Sequence, residues 1–172
     1  MLTVVMESRD HEAELVQTLS GLVSAAVEGL VSDVVVLDHG SRDGCARVAD
    51  AAGCRFHSEW DLREVLTTVR GDWLLLVEPG ARLQQGWIDA VLEYIALNSR
   101  PARFSLARHY RRPFLRRMMT GGPPLEAGLL LTKRQALEAV RSGSDLAMLA
   151  AGVKAATLSS ELIPARVMRT GG

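Results

Sequence analysis

Lysine is scarce in this chain: Lys133 and Lys154 are the only two among its 20 basic residues, and 20 acidic residues bring the formal net charge to zero. A neutral chain has no global attraction to polyanions, so nucleic-acid binding is not expected. The skew to arginine reads as base-composition bias, although a guanidinium suits phosphate better geometrically than an ammonium does. Cysteine is nearly as rare. Cys45 and Cys54 lie around one predicted helix without metal-ligand spacing, which leaves them a reduced, packing role. Apolar runs long enough to span a membrane, about 20 residues, are missing. The opening "MLTVVMESRD" reads as a short strand followed by charges and not as a signal peptide. Repeats and convincing linkers are absent too. These absences lead to the expectation of a soluble cytoplasmic protein, with peripheral contact at the inner membrane left open, folded as one domain over residues 1–172.

What is present is alternation. Leu2–Met6, Val34–Leu37 and Trp73–Val77 are short, continuous apolar runs, as expected of strands buried on both faces of a parallel sheet. Between the first two, Leu15, Leu19, Leu22, Val23, Ala26 and Leu30 recur at helical spacing, with Asp10 as the expected N-cap. A second helix is expected after Ser41, with Asp43 in its first turn, a face of Cys45, Val48, Ala49 and Ala52, and Gly53 as a left-handed stop. A third begins at Asp61, with Glu64 three residues on and Leu62, Val65, Leu66 and Val69 as its buried stripe. A fourth covers residues 85–97, with Trp87, Val91, Tyr94 and Ile95 inward. The second half is less regular. Arg103–Ala107, Ala127–Thr132 and Lys154–Leu158 read as strands, and helices are expected at 134–141 and from Asp145, the latter capped by Ser144. The arginine-dense stretch Arg108–Arg117 runs into Gly121-Gly122-Pro123-Pro124 and reads as a mobile loop.

Three segments then resemble family 2 glycosyltransferases of the GT-A fold. "LTVVMESRDHEAELVQTL" is similar to the family's opening strand, polar loop and long helix. "DVVVLDHGSRDGCARVADAAG" resembles its strand, Asp-Asp-Gly-Ser loop and helix start. "VRGDWLLLVEPGARLQQGWIDAV" resembles its strand, acidic loop and Trp-bearing helix. The later part matches only through "EAGLLLTKRQALEAV" and the following Ser144-Asp145. The resemblance implies a GT-A-like, three-layer α/β/α domain with a mainly parallel central sheet. Residues 1–97 would form its nucleotide-binding half, and 98–172 a short acceptor-side half.

It also implies a function: transfer of a sugar from a nucleotide-sugar donor to an acceptor. On the matching positions, Glu7, Ser8, Arg9 and Asp38 would hold the nucleotide base. The plainer alternative for Asp38 is a bond to the Gly40-Ser41 turn, and for His39 an ordinary loop position. The family's acidic loop carries two Asp residues one apart that hold a divalent cation on the diphosphate. Here Glu78 stands at the first and Gly80 at the second, with Pro79 between, so Mn²⁺ or Mg²⁺ would meet an incomplete motif and no metal ligand is assigned. Glu78 could instead accept from a ribose hydroxyl. Arg63, near the start of the third helix, could neutralise the diphosphate, or be a solvated helix face. Asp145 matches the family's late Asp, the base that deprotonates the acceptor, or else serves a helix N-terminus. The stretch Arg108–Arg117 offers a surface for diphosphate, anionic lipid or a protein partner. Gly80, His39 and the small acceptor half keep a second class open, a catalytically inactive scaffold acting as a binding or regulatory partner. A nucleotidyltransferase is disfavoured, since no Gly-rich loop follows the opening strand.

Overall fold

A computed structural model describes residues 1–170, the side chains of Arg117 and Thr120 excepted. The apolar runs are strands: β1 (Leu2–Ser8), β2 (Val31–Asp38) and β4 (Trp73–Leu76) lie side by side in parallel. β3 (Arg55–His57) extends this parallel set past β2. It escapes the apolar-run criterion because an edge strand can carry Arg and His. Beyond β4 the sheet turns antiparallel through β7 (Leu129–Thr132), continues to β6 (Ala102–Leu106) and β8 (Ala156–Ile163), and ends on β5 (Arg82–Leu83). The order is β3-β2-β1-β4-β7-β6-β8-β5. Among the described residues, four of the seven pairings, β1–β2, β1–β4, β2–β3 and β6–β8, are parallel.

Helices cover both faces. On one, Leu2, Val4 and Met6 pack with Leu15 and Leu22 of α1 (Glu12–Val27), Ala49 of α2 (Cys45–Ala51), and Trp87 and Val91 of α4 (Trp87–Leu97). On the other, Val5, Val35 and Leu76 meet α3 (Leu62–Thr68), α6 (Lys133–Ala139) and α7 (Leu146–Ala151) through Leu66, Ala136 and Leu149. This is the expected α/β/α layering, and the alternation of Val4, Val5 and Met6 between faces is the period-two consequence of a strand.

Local signals hold at several ends. Asp61 caps α3 by accepting from Glu64 N, Leu62, Val65, Leu66 and Val69 are buried, and Gly53 has φ 70°. Thr132 and Gln135 form a reciprocal capping box at the start of α6. Other expectations need correction. Asp10 does not cap α1; it sits at φ 53°, and its Oδ1 accepts from Arg42 N at 2.7 Å. Val23 and Ala26 face solvent, and Thr18 and Ala25 take their place inside, because the α1 face is rotated towards the loop after β4. Ser144 does not cap α7; Asp145 does, its Oδ1 accepting from Met148 N at 2.7 Å. The stretch expected as a mobile loop contains a 3₁₀ turn (Arg108–Tyr110) and α5 (Phe114–Thr120). A final helix, α8 (Arg166–Thr170), gave no signal in the sequence.

Candidate active site

The C-terminal ends of adjacent parallel strands are where open α/β sheets bind ligands. Here β1 ends at Glu7-Ser8, β2 at Asp38, and β4 runs into Glu78. Asp38 is only 5% exposed. Its Oδ2 accepts from Gly40 N (2.9 Å) and Ser41 N (2.8 Å), and its Oδ1 from Ser41 Oγ (2.5 Å). A carboxylate has about four acceptor positions, so three are committed to its own turn. The backbone at Asp38 is engaged as well, its carbonyl accepting from Trp60 Nε1 at 3.0 Å.

Glu7 is the meeting point of three elements. Its Oε2 lies 2.8 Å from His39 Nε2, and its Oε1 accepts from Leu146 N at 2.5 Å, the first amide of α7. His39 in turn stands edge-on to Trp60, with ring centroids 5.1 Å apart. His39 is thus more than the ordinary loop residue expected: it carries the Glu7 contact across from the β2 loop. Asp145, one residue before Leu146, comes with α7 to the same place. Its Oδ2 has no hydrogen bond among the described residues.

Around this point the acids of the first loop lace the second. Gly44 N donates to Glu12 Oε2 at 2.8 Å, Glu12 N to Asp43 Oδ2 at 2.9 Å, and Asp10 N to Ser41 Oγ at 2.9 Å. Ser8, expected at the nucleotide, is buried with its hydroxyl 3.3 Å from Cys45 Sγ. Arg9 is exposed at the rim. Neither cysteine is activated: burial pushes the Cys45 thiol up, and burial with the nearby Asp33 charge pushes Cys54 up to about 11. Arg63 is occupied elsewhere. Its Nη2 donates to the carbonyls of Leu137 (3.2 Å) and Val140 (3.1 Å), tying α3 to the end of α6.

The loop after β4 is built differently. Glu78 is half-buried, and among the described residues its carboxylate has no hydrogen bond or ion pair. Gly80 adopts φ 98°, which L-residues rarely accept. A Cβ there would lie 3.1 Å from Glu14 Cγ and 3.5 Å from Ala165 Cβ. Thr18 of α1 pins this turn, accepting from Gly80 N (2.9 Å) and donating to the Ala81 carbonyl (3.1 Å). No second acid fits at position 80, and no group of three His, Cys, Asp or Glu able to hold a metal exists among the described residues. The residues present do not fit a divalent cation. What approaches the loop is Arg169 of α8, whose Nη2 donates to the Pro79 carbonyl at 3.3 Å. His11, between the loops, has its pKa lowered by burial first and by Arg169 second, against the pull of Glu14, Asp43 and Glu78.

Farther along the chain, α8 is anchored through a buried acid. Glu126 Oε1 accepts from Arg166 Nε at 2.7 Å, and Oε2 lies 3.3 Å from Arg112 Nε. Next to it a cleft of about 610 Å³ is lined by Arg103, Arg111, Pro123, Glu126 and Thr157. That volume is in the range of small-molecule sites. Arg103 Nη2 donates to the Ala150 carbonyl (2.7 Å) and its Nη1 to those of Gly128 (3.2 Å) and Pro124. Burial lowers the pKa of this cation. Beyond the cleft, α5 exposes Phe114, Leu115, Met118 and Met119.

Sheet order and layering are those of a GT-A-like fold. Among solved structures, the mannosyl-3-phosphoglycerate synthase of Rubrobacter xylanophilus aligns at TM-score 0.61 and 17% identity, over 78% of this chain and 54% of that one. The glucosyl-3-phosphoglycerate synthase of Mycobacterium tuberculosis, in complex with phosphoglyceric acid, aligns at 0.55 and 19%, over 79% and 58%. The same enzyme with Mn²⁺, UDP-glucose and phosphoglyceric acid aligns at 0.54 and 17%, over 79% and 58%. The chain therefore spans little more than half the length of these enzymes. Its sequence matches no family model and no curated protein.

The sequence brought Glu7, Asp38 and Glu78 to the site. It missed Arg169, Arg166 and Glu126, whose approach depends on α8 folding back over the loop after β4.

Proposed function

We propose that this protein is a glycosyltransferase that uses a nucleotide-sugar donor, formed by one domain whose residues 1–97 hold the nucleotide and 98–172 the acceptor. The observation that carries this reading is the convergence of Glu7, Asp38 and Glu78 at the ends of three adjacent parallel strands, on a GT-A fold, with Asp145 delivered beside Glu7. Glu7 and Arg9 with the Asp38 turn form the nucleotide end, while buried Ser8 packs behind them on Cys45. There the one acceptor position left on Asp38 suits a base or ribose donor. Glu78 accepts from a donor hydroxyl. Asp145 Oδ2 takes the proton of the acceptor hydroxyl as its oxygen attacks the anomeric carbon, and the bond to the diphosphate breaks with its electron pair on the leaving oxygen. The cleft beside Glu126 is the acceptor side. Its arginines suit an acceptor bearing a carboxylate or phosphate, in keeping with the phosphoglyceric acid bound in the mycobacterial enzyme.

The test is consumption of UDP-glucose and GDP-mannose by the purified protein, followed as release of nucleoside diphosphate. Turnover that drops about 100-fold or more in Asp145→Asn while donor binding persists supports the roles given. A folded protein that neither turns over nor binds any donor is a repurposed scaffold.

A further inference from the structure

The loop after β4 matches in sequence the acidic loop that holds a cation in the glycosyltransferases this chain resembles, without having its ligands. Glu78 supplies one carboxylate, and position 80 cannot supply another. Its φ of 98° excludes most side chains, and Glu14 and Ala165 fill the space a Cβ would need. The positive charge that does reach the loop belongs to Arg169, bonded to the carbonyl of Pro79, midway between Glu78 and Gly80. That bond uses one of the five N–H groups of the guanidinium. Arg169 is exposed, and no carboxylate lies within ion-pair distance of it among the described residues. A bond to a neutral carbonyl leaves its charge uncompensated. Arg63, the residue the sequence offered for this task, has its guanidinium on the α6 carbonyls instead.

The delivery of Arg169 is built into the fold. Arg166, one turn earlier on α8, is held by Glu126 and by the Tyr110 carbonyl at 2.5 Å, and Ala165 is buried against Gly80. His11, which feels the charge of Glu78, has its pKa lowered by burial first and by Arg169 second, so it favours the neutral form.

We propose that Arg169 takes the place of a divalent cation at this loop, its guanidinium binding the diphosphate of the donor while Glu78 accepts from a donor hydroxyl. This rests on the nucleotide-sugar reading above. A guanidinium carries a permanent charge and a planar fork of donors that meets two phosphate oxygens at once. It therefore neutralises charge building on the leaving diphosphate with no metal at the site. The fold relatives with UDP-glucose were solved with Mn²⁺; this chain performs the same electrostatic task with a side chain.

The experiment is calorimetric titration with UDP and with GDP, in EDTA and in Mn²⁺, of the wild type and of Arg169→Ala, Arg169→Lys and Glu78→Gln, each first shown to melt like the wild type. The expected result is one nucleotide bound with the same affinity in both buffers, weakened roughly tenfold or more in Arg169→Ala and partly retained in Arg169→Lys. Binding that needs Mn²⁺, or an Arg169→Ala variant that binds as the wild type does, overturns the assignment and leaves the nucleotide-sugar reading standing. A folded wild type that binds neither nucleotide in either buffer overturns that reading, and this one with it.

Discussion

The loop after β2 and the loop after β4 both begin with a carboxylate at the end of a parallel strand. Asp38 is 5% exposed and accepts three hydrogen bonds from its own turn, whereas Glu78 is half-buried and accepts none among the described residues. The first carboxylate holds a loop in shape, and the second is held by a loop whose shape comes from Thr18 and a positive-φ glycine. A strand-end acid is free for a ligand only when something else satisfies the turn. The two loops show both outcomes 40 residues apart in sequence but on neighbouring elements, since β1 pairs with both strands.

Breaking the comparison at Asp38 has the largest expected effect. Asp38→Ala removes the acceptor of two backbone amides and a hydroxyl, and stability should fall by about 3 kcal/mol. Thermal unfolding would show this as a melting point lower by roughly 10 °C. Glu126→Ala should cost somewhat less, about 2 kcal/mol, because Arg112 and Arg166 lose their shared partner but are themselves partly solvated. It should also weaken nucleotide binding, by loosening α8 over the Glu78 loop. Smaller still is the effect of Gly80→Asp, which restores the spacing of two acids but strains a backbone at φ 98°. About 1 kcal/mol of destabilisation is expected, with no gain of Mn²⁺ binding, measured by chemical denaturation and metal titration.

A pH series sharpens the contrast further. The folded state depresses the pKa of His11, so the unfolded chain binds more protons below the ordinary histidine value near 6.5. Stability contributed by neutral His11 is therefore complete above that value and declines as pH falls through the window beneath it. In His11→Gln that decline should be shallower in denaturation midpoints taken between pH 7 and 5. The smallest structural effect belongs to Glu78→Gln, expected within about 0.5 kcal/mol of wild type because no partner is lost. A marked loss of stability there would erase the difference between the two loops.

Much of the first half was legible. Val34–Leu37 and Trp73–Val77 announce strands because a strand covered on both faces must be apolar throughout, and Leu62, Val65, Leu66 and Val69 announce a helix by their spacing. Asp61 and Gly53 act within a few residues of themselves, so their roles survive any tertiary arrangement. Asp10 shows the limit. Its residue type favours a cap, but the Arg42 amide across the gap between loops claims its carboxylate.

The sequence by itself determined the alternation of elements, the buried faces of most helices and the three acids at the strand ends, because these depend on periods of two and 3.6 and on short-range capping. Only the tertiary structure decided that β7 runs antiparallel beside β4, that Glu7 joins His39 to the first amide of α7, and that α8 returns to set Arg169 on the Pro79 carbonyl. Each of these joins groups far apart in the chain. Their partners are chosen by which surfaces the packed sheet brings within hydrogen-bond reach, and no local period encodes that.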